Sequence, residues 1–550
     1  MLLGAVSPTR AQTPATAPMP MPSPLPAQPP VGAAMPALRA SATTTELLPT
    51  ESPCTTCGRP LAQAANAQTL PEPPAPEATF RLTEIRLSGA AAIGPDELKA
   101  LTDPYIGRNV ALADLQALAA AITARYRERG YFLAQAVVPV QTVRDGTVEI
   151  SVIEGRLGSV TLSVAPDASI SEARVRGFLA PVPAGQAVNA PSYERAMLLL
   201  SDQPGVRATS ALQEGVQVGT TDLTVEVAAA PRFQFSAEAD NHGTLESGRY
   251  RIGGSARWNS PTGIGDNLDA RVMVSNSNAL QFGRIAYEAP LGTDGLRAGV
   301  GLARVNYELG GEFVDLGAQG TANVLDLSLN YPLIRQRQHN LFLRLGADAK
   351  QLKDEFTAFD TRSNKRVRGL GLGWTWERRD GALGGGYWAS SGTLYRGTLG
   401  LRGDSYLLDQ GLLVPGLVGS RTAGAFSKLS FQLSRLQAIV AGHSLYLAMG
   451  GQFASKNLDA SEKLALGGAR AVRAYATSEV LVDQGLIGNI EWRWSVNDEL
   501  TPFVFYDAAR GESMRRPIAF DGSGNRQSLR GYGVGGVVEH EGREFVVDRP

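Results

Sequence analysis

Two cysteines in 550 residues rule out a fold held by a disulfide framework, so burial and backbone pairing must carry this one. Histidine is almost as scarce. His242, His339, His443 and His540 come without a GxSxG elbow or an HExxH pair, which argues against a lipase, a protease or any other enzyme. His339 and His443 read as solvated positions beside strands. An excess of positive charge is missing too: 52 Lys+Arg stand against 53 Asp+Glu, so the cationic field that sequence-independent nucleic-acid binding requires is absent. No apolar run reaches the roughly 20 residues of a membrane-spanning helix, which excludes a helical membrane protein. Nor can one ordinary core, typically about 100 to 150 residues, account for the length. Several domains, or a barrel with attachments, are expected.

What is present changes character along the chain. Residues 1–11 hold a brief apolar stretch, Met1 to Val6, then Thr9-Arg10-Ala11, and read as the remnant of a signal peptide. Residues 12–78 contain 16 of the 33 prolines and few charges, a composition that favours extended polyproline conformers and reads as a linker. Cys54-Thr55-Thr56-Cys57 lies within it. No second CxxC or His pair completes a zinc site and no βαβ pattern follows, so a local Cys54 to Cys57 disulfide is expected, with no metal and no cofactor.

From Phe80 the apolar spacing becomes regular. A strand from Phe80 to Gly89 precedes a short helix opened by Pro95-Asp96-Glu97-Leu98. Leu115, Leu118, Ala119, Ile122 and Tyr126 then form one stripe on a helix from Leu112 to Arg129, stopped by Gly130. Strands Leu133 to Val140 and Thr147 to Glu154 follow around Arg144-Asp145-Gly146. The β-α-α-β-β order recurs between Gly158 and Val227, with a strand at Val160 to Val164, helices at Ser171 to Leu179 and Ser192 to Ser201, and strands at Val206 to Leu212 and Asp222 to Val227.

Beyond Pro231 the period is two. Leu341, Leu343, Leu345, Ala347 and Ala349 share one face, and Asn340, Arg344, Asp348 and Lys350 take the other, as a strand between lipid and a wet lumen demands. The apolar faces repeatedly end in Tyr or Trp, which favour membrane interfaces. Alternation marks strands near 232, 249, 267, 280, 296, 321, 339, 366, 393, 425, 443, 485, 501, 528 and 543. A soluble β-sandwich or propeller shows the same local alternation, but residues 231–550, at roughly 20 per strand and connection, suit about 16 strands of an outer-membrane barrel.

Tyr126, Gly130-Tyr131, Ala136-Val137-Val138-Pro139, Gln141, Gly146 and Glu154-Gly155, then Pro204-Gly205-Val206, Gly215, Gly219 and Leu223, carry a resemblance. The segment is similar to paired POTRA domains of the two-partner secretion transporters, the haemolysin secretion and activation proteins. The resemblance implies α+β periplasmic modules, two POTRA domains at 79–156 and 157–230, followed by an antiparallel transmembrane β-barrel of about 16 strands at 231–550. It also implies a final strand with a terminal aromatic, which Asp548-Arg549-Pro550 does not provide.

Val472, Arg473, Ala474 and Tyr475 resemble the family's Val-Arg-Gly-Tyr loop tip, folded back into the lumen, with Ala474 in the place of glycine. Phe503, Phe505 and Asp507 resemble its inner-wall Phe-x-Asp motif, and Asp507 in a partly dehydrated interior calls for the bidentate fork of Arg473. Lumenal Glu491 and Arg493 are supporting candidates. The implied function is ATP-independent secretion of an unfolded exoprotein, a β-helical toxin or adhesin, across the outer membrane of a Gram-negative bacterium. Outer-membrane lipid and, during biogenesis, the barrel assembly machinery are further partners, and Leu38 to Leu48 is the candidate plug helix. The runner-up is an insertase of the same superfamily; an outer-membrane hydrolase or a passive porin rank lower.

Overall fold

The computed structural model describes residues 78–413, 418–476, 479–497, 499–518, 524–540 and 543–549. The expected signal remnant, linker, plug segment and Cys54 and Cys57 lie outside the described residues.

In the first module strand β1 (Glu84–Ser88) leads to helices α1 (Pro95–Thr102) and α2 (Leu112–Glu128), then to strands β2 (Gln135–Val137) and β3 (Thr147–Ile153). The α2 stripe is buried along its length and closes over Val148, Ile150 and Val152 of the sheet. Gly130, at φ +89°, ends the helix; a Cβ there would sit 2.9 Å from the Pro191 ring of the next module, so glycine serves both the turn and the close approach. The expected first strand is interrupted, because Phe80–Arg81 pairs with Asn109–Val110 instead of continuing into β1. The strand expected to reach Val140 stops at Val137. Beyond it the Gln141 amide exchanges bonds with the backbone of Glu149, donating at 2.7 Å and accepting at 2.8 Å, and so replaces the ladder.

The second module repeats the plan with β4 (Arg156–Val164), α3 (Glu172–Leu179), α4 (Ala190–Ser201), β5 (Val206–Glu214) and β6 (Thr220–Ala229). Sheet orders are β1-β3-β2 and β4-β6-β5; in each the last strand is central, parallel to the first and antiparallel to the other. Only Glu154 and Gly155 separate β3 from β4. The buried Glu154 carboxylate accepts from the backbone N–H groups of Ala91 and Ala92, each at 2.6 Å, and from the Tyr126 hydroxyl at 3.0 Å, and it faces Arg156 at 3.4 Å.

The remaining strands form one antiparallel sheet in which neighbours in sequence are neighbours in space. Its first five are β7 (Phe233–Asp240), β8 (Arg251–Asn259), β9 (Asn267–Ser275), β10 (Leu280–Pro290) and β11 (Arg297–Glu308). The next five are β12 (Ala318–Arg335), β13 (His339–Phe356), β14 (Thr361–Asp380), β15 (Gly386–Leu401) and β16 (Gly424–Val440). The last are β17 (His443–Ala454), β18 (Gln484–Trp494), β19 (Leu500–Glu512), β20 (Arg526–His540) and β21 (Arg543–Arg549). Fifteen strands are described, and β7 and β21 stand at the two edges with no ladder between them among the described residues. An odd number leaves the edge strands running in the same direction, so antiparallel closure requires an even count. The sixteenth strand expected from the sequence is not found among the described residues.

Polarity across this sheet is the reverse of a soluble protein's. Ile285, Leu302, Leu327, Leu345, Leu370 and Leu394, on six successive strands, are 48 to 62% exposed, while Lys350, Asp354, Glu491 and Asp507 are buried on the opposite face. His339 and His443, expected to be solvated, instead accept hydrogen bonds from the indole N–H groups of Trp376 (3.0 Å) and Trp492 (3.2 Å). An indole facing an apolar belt needs an acceptor, and the neighbouring strand's first residue supplies it. Connections at one end are short, such as 260–266, 291–296 and 441–442, and at the other include 241–250, 402–423 and 455–483. The second module docks on the short-turn end: Arg335 makes a bidentate pair with Asp202 at 2.7 and 2.8 Å, Ser260 donates to the Ser169 carbonyl, and Arg174 and Arg195 donate to the carbonyls of Gly292 and Asp294.

Burial by itself raises the Glu154 carboxyl's pKa, but the bonds from Ala92, Ala91 and Tyr126 and the charge of Arg156 outweigh it and hold the group below its ordinary value. A lowered folded-state pKa contributes stability that is complete above the unfolded value, near 4.5, and disappears as pH falls through the folded value. Glu154→Gln should therefore cost about 1–3 kcal/mol at neutral pH and weaken the acid dependence. Thermal unfolding of the full chain at pH 7 and pH 3.5, followed through the helical signal, checks this; equal loss on acidification in both proteins would contradict it.

Candidate functional site

Of the connection between β17 and β18, residues 455–476 and 479–483 are described, and their contacts with inward-facing wall residues place them on the inner side of the curved sheet. The tip is held first by apolar packing. Leu466, Ala471, Val472 and Val482 of the loop cluster with Ile487 of β18, Ala509 of β19 and Leu529 of β20, and Tyr475 packs against the cluster. Leu466 and Val472 have no exposed surface, so the tip cannot shift without opening a void.

On that seat the charged contact is made. Arg473 Nε and Nη2 donate to the two oxygens of Asp507 at 2.8 and 2.7 Å, the Arg473 backbone N–H donates to Asp507 Oδ2 at 3.1 Å, and Nη1 donates to Glu491 Oε1 at 2.8 Å. Asp507 is 0% exposed. The guanidinium carbon lies 3.6 Å from the Phe505 ring centroid, with Phe503 6.0 Å away, so an aromatic floor excludes water from beneath the ion pair. Arg493 donates to the other Glu491 oxygen and lies over Tyr446. Two guanidinium groups and two carboxylates thus balance in one dehydrated cluster.

The structure brings Val472, Arg473, Tyr475, Phe503, Phe505, Asp507, Glu491 and Arg493 together, and leaves Ala474 exposed at the tip. Ala474 is not among the residues with positive φ, so alanine in place of glycine imposes no backbone strain there. Cys54 and Cys57 are outside the described residues. Two participants went unnoticed in the sequence. Asn489 donates to both Asp507 Oδ1 and the Ala471 carbonyl at 2.8 Å, tying wall to loop. It shares the inward parity of Glu491 and Arg493, and that spacing was the available signal. Gly531 of β20 pairs with Asp507, and a Cβ there would come 2.9 Å from the Ala474 Cβ, so its missing side chain makes the room the tip occupies.

A second concavity lies at the short-turn end. A cavity of about 310 Å³ runs between α4 and the edge strand β5, lined by Tyr193, Met197, Ser201, Ala208 and Ser210 with Arg337 from the β12–β13 turn. Ala208, Thr209 and Ser210 of β5, an edge strand of its sheet, form one wall.

Comparison with known proteins agrees with this architecture. The family model described as Haemolysin secretion/activation protein ShlB/FhaC/HecB matches residues 219–536, more than half of the chain, and that of the POTRA domain, ShlB-type, matches residues 80–155. The Heme/hemopexin transporter protein HuxB of Haemophilus influenzae (strain 86-028NP) is 28% identical over 446 residues, 79% of this chain and 77% of that protein. The Outer membrane transporter CdiB of Dickeya dadantii is 25% identical over 187 residues, 34% of this chain and 32% of its own. Among solved structures, CdiB from Escherichia coli superposes with a TM-score of 0.67 at 18% identity, covering 86% of this chain and 87% of that one, and CdiB from Acinetobacter baumannii with 0.60 at 17%, covering 84% of each. At these identities the superpositions establish the fold: POTRA modules and an outer-membrane β-barrel.

Asp507→Ala leaves the Arg473 guanidinium without its main counter-charge, a change that typically costs about 3–5 kcal/mol, and Gly531→Val pushes a side chain into the space of Ala474. Both should make the loop sensitive to trypsin at Arg470 and Arg473 in the detergent-purified protein while the heat-modifiable shift of the folded barrel persists. Cleavage no faster than in the parent chain would show that the pair does not seat the tip.

Proposed function

This chain belongs to the haemolysin secretion/activation protein family ShlB/FhaC/HecB, and on that premise we propose that it is an outer-membrane pore that receives an unfolded exoprotein in the periplasm and secretes it without ATP. The groove between α4 and β5 supports this reading best. Its lining includes Arg337 of a barrel turn, so an extended segment added to the β5 edge already lies at the mouth of the barrel. Backbone pairing along an edge gives affinity with little side-chain selection, which suits a client that has not yet folded. No nucleotide-binding motif appears in the sequence. Direction then comes from threading and from folding of the cargo outside, which opposes its return.

The lumenal loop is the gate of this pore. Arg473, bound to Asp507 and Glu491 over the Phe503 and Phe505 rings, keeps Val472 and Tyr475 in the resting seat against Ile487, Ala509 and Leu529, with Arg493 completing the charge balance. The cargo class is a large β-helical toxin or adhesin with an amino-terminal secretion domain. Outer-membrane lipid meets the exposed apolar belt, and the barrel assembly machinery is the partner during insertion. Residues 79–156 and 157–230 act as the two periplasmic receptors, 12–78 as the linker leading to them, and 231–550 as the barrel.

Deletion of residues 80–228 is expected to abolish export of the exoprotein encoded in the neighbouring reading frame while ion conductance persists in planar bilayers; continued export would remove the receptor role. Arg473→Ala is expected to reduce export at least tenfold with the barrel still inserted in the outer membrane, and near-parental export would count against the gate.

A further inference from the structure

The loop touches the barrel at a second charged place, on other strands and with inverted polarity. At the tip the loop contributes the cation and the wall the carboxylates. Nearer its start the loop contributes two carboxylates. Glu462, 2% exposed, bridges Lys350 of β13 at 2.7 Å and Lys428 of β16 at 2.9 Å; its backbone carbonyl also accepts from Lys428 and from Gln452 of β17. Asp459 meets Lys365 of β14 at 2.9 Å, and the same ammonium contacts Asp354 at 3.3 Å. Asp459 further accepts from the backbone and hydroxyl of Ser461, which fixes the short helical turn that carries Glu462.

The two clamps share no residue. The tip clamp rests on β18 and β19, the limb clamp on β13, β14 and β16, so the loop is stretched between separate arcs of the sheet. Withdrawal would strand two carboxylates of the loop and take from Lys428 its carboxylate partner, while Lys350 would keep only Asp348 at 3.9 Å and Lys365 only Asp354 at 3.3 Å, a costly change in a dehydrated site. A loop kept in the lumen only by Arg473 would not need this second set. We infer that Glu462, supported by Asp459, is a positioning residue for gating: the limb clamp holds residues 457–463 against the wall independently of the tip, so that tip and limb are released as separate steps. This rests on the reading of the loop as a gate.

The full chain, purified in detergent and reconstituted in planar bilayers with potassium chloride as the conducting probe, provides the test. Glu462→Gln should raise open probability about tenfold and expose Lys463 to trypsin, while Arg470 and Arg473 stay protected; Arg473→Ala, which removes one of those sites, should expose Arg470 and leave Lys463 protected. Because the single substitution takes the Glu462 charge away from two buried lysines, Glu462→Gln is repeated with Lys350→Met and Lys428→Met, which removes the excess positive charge and is expected to give the same conductance and cleavage. Parental conductance and a protected Lys463 in both Glu462 variants, with Arg473→Ala active, would overturn the limb clamp alone. Parental conductance in every variant would overturn the gate itself.

Discussion

A carboxylate without exposed surface has to be answered by a cation, and in this barrel the cation arrives from a loop that begins outside it. Asp507 sits on the inner wall beside Phe505, and Arg473 reaches it only if residues 455–483 fold back into the lumen. Much of the lumenal arrangement depends on that demand. Leu466 and Val472 are buried because the tip is drawn in, Gly531 lacks a side chain because the tip passes over it, and Asn489 turns to both partners. Replacing a buried ion pair with apolar groups is often neutral or stabilising, so the pair is better understood as fixing where the loop sits than as a source of stability.

The second organising feature is the asymmetry of the two ends. Short turns face the second module, which grips three of them through Asp202, Ser169 and the donors Arg174 and Arg195, while long connections project from the far end. The first module is joined to the second by only Glu154 and Gly155, and Asn189 donates to the Arg129 carbonyl across the joint. The two modules thereby abut directly, and the second sets its β5 edge beside the β12–β13 turn of the barrel.

Alternation of two is a local signal, and it made most of the barrel legible. The strands read near 267, 280, 339 and 443 are β9, β10, β13 and β17. The strand read near 393 is β15, whose first residues, Gly386-Tyr-Trp-Ala-Ser-Ser, carry no apolar alternation and owe their place to ladders with β14 and β16. Parity also put Phe505 and Asp507 on one wall. It gave no means of joining Glu462 to Lys350 and Lys428, whose separations of 112 and 34 residues carry no periodic trace. Those lysines looked like ordinary wet-lumen positions.

By itself the sequence determined what each segment is: a three-to-four-residue stripe makes α2 a half-buried helix, a two-residue period makes one strand face greasy and the other polar, and an inward Asp requires a cation. These follow from side chains a few positions apart on the same backbone element. Only the tertiary structure decided which distant groups meet. The paired edges of the modules, the seat provided by Gly531, the indole bonds to His339 and His443 and the opposed polarity of the two loop clamps all depend on how the sheet curves and where the loop crosses it. That geometry is set by summed strand twist and register over the whole barrel, which no window of neighbouring residues contains.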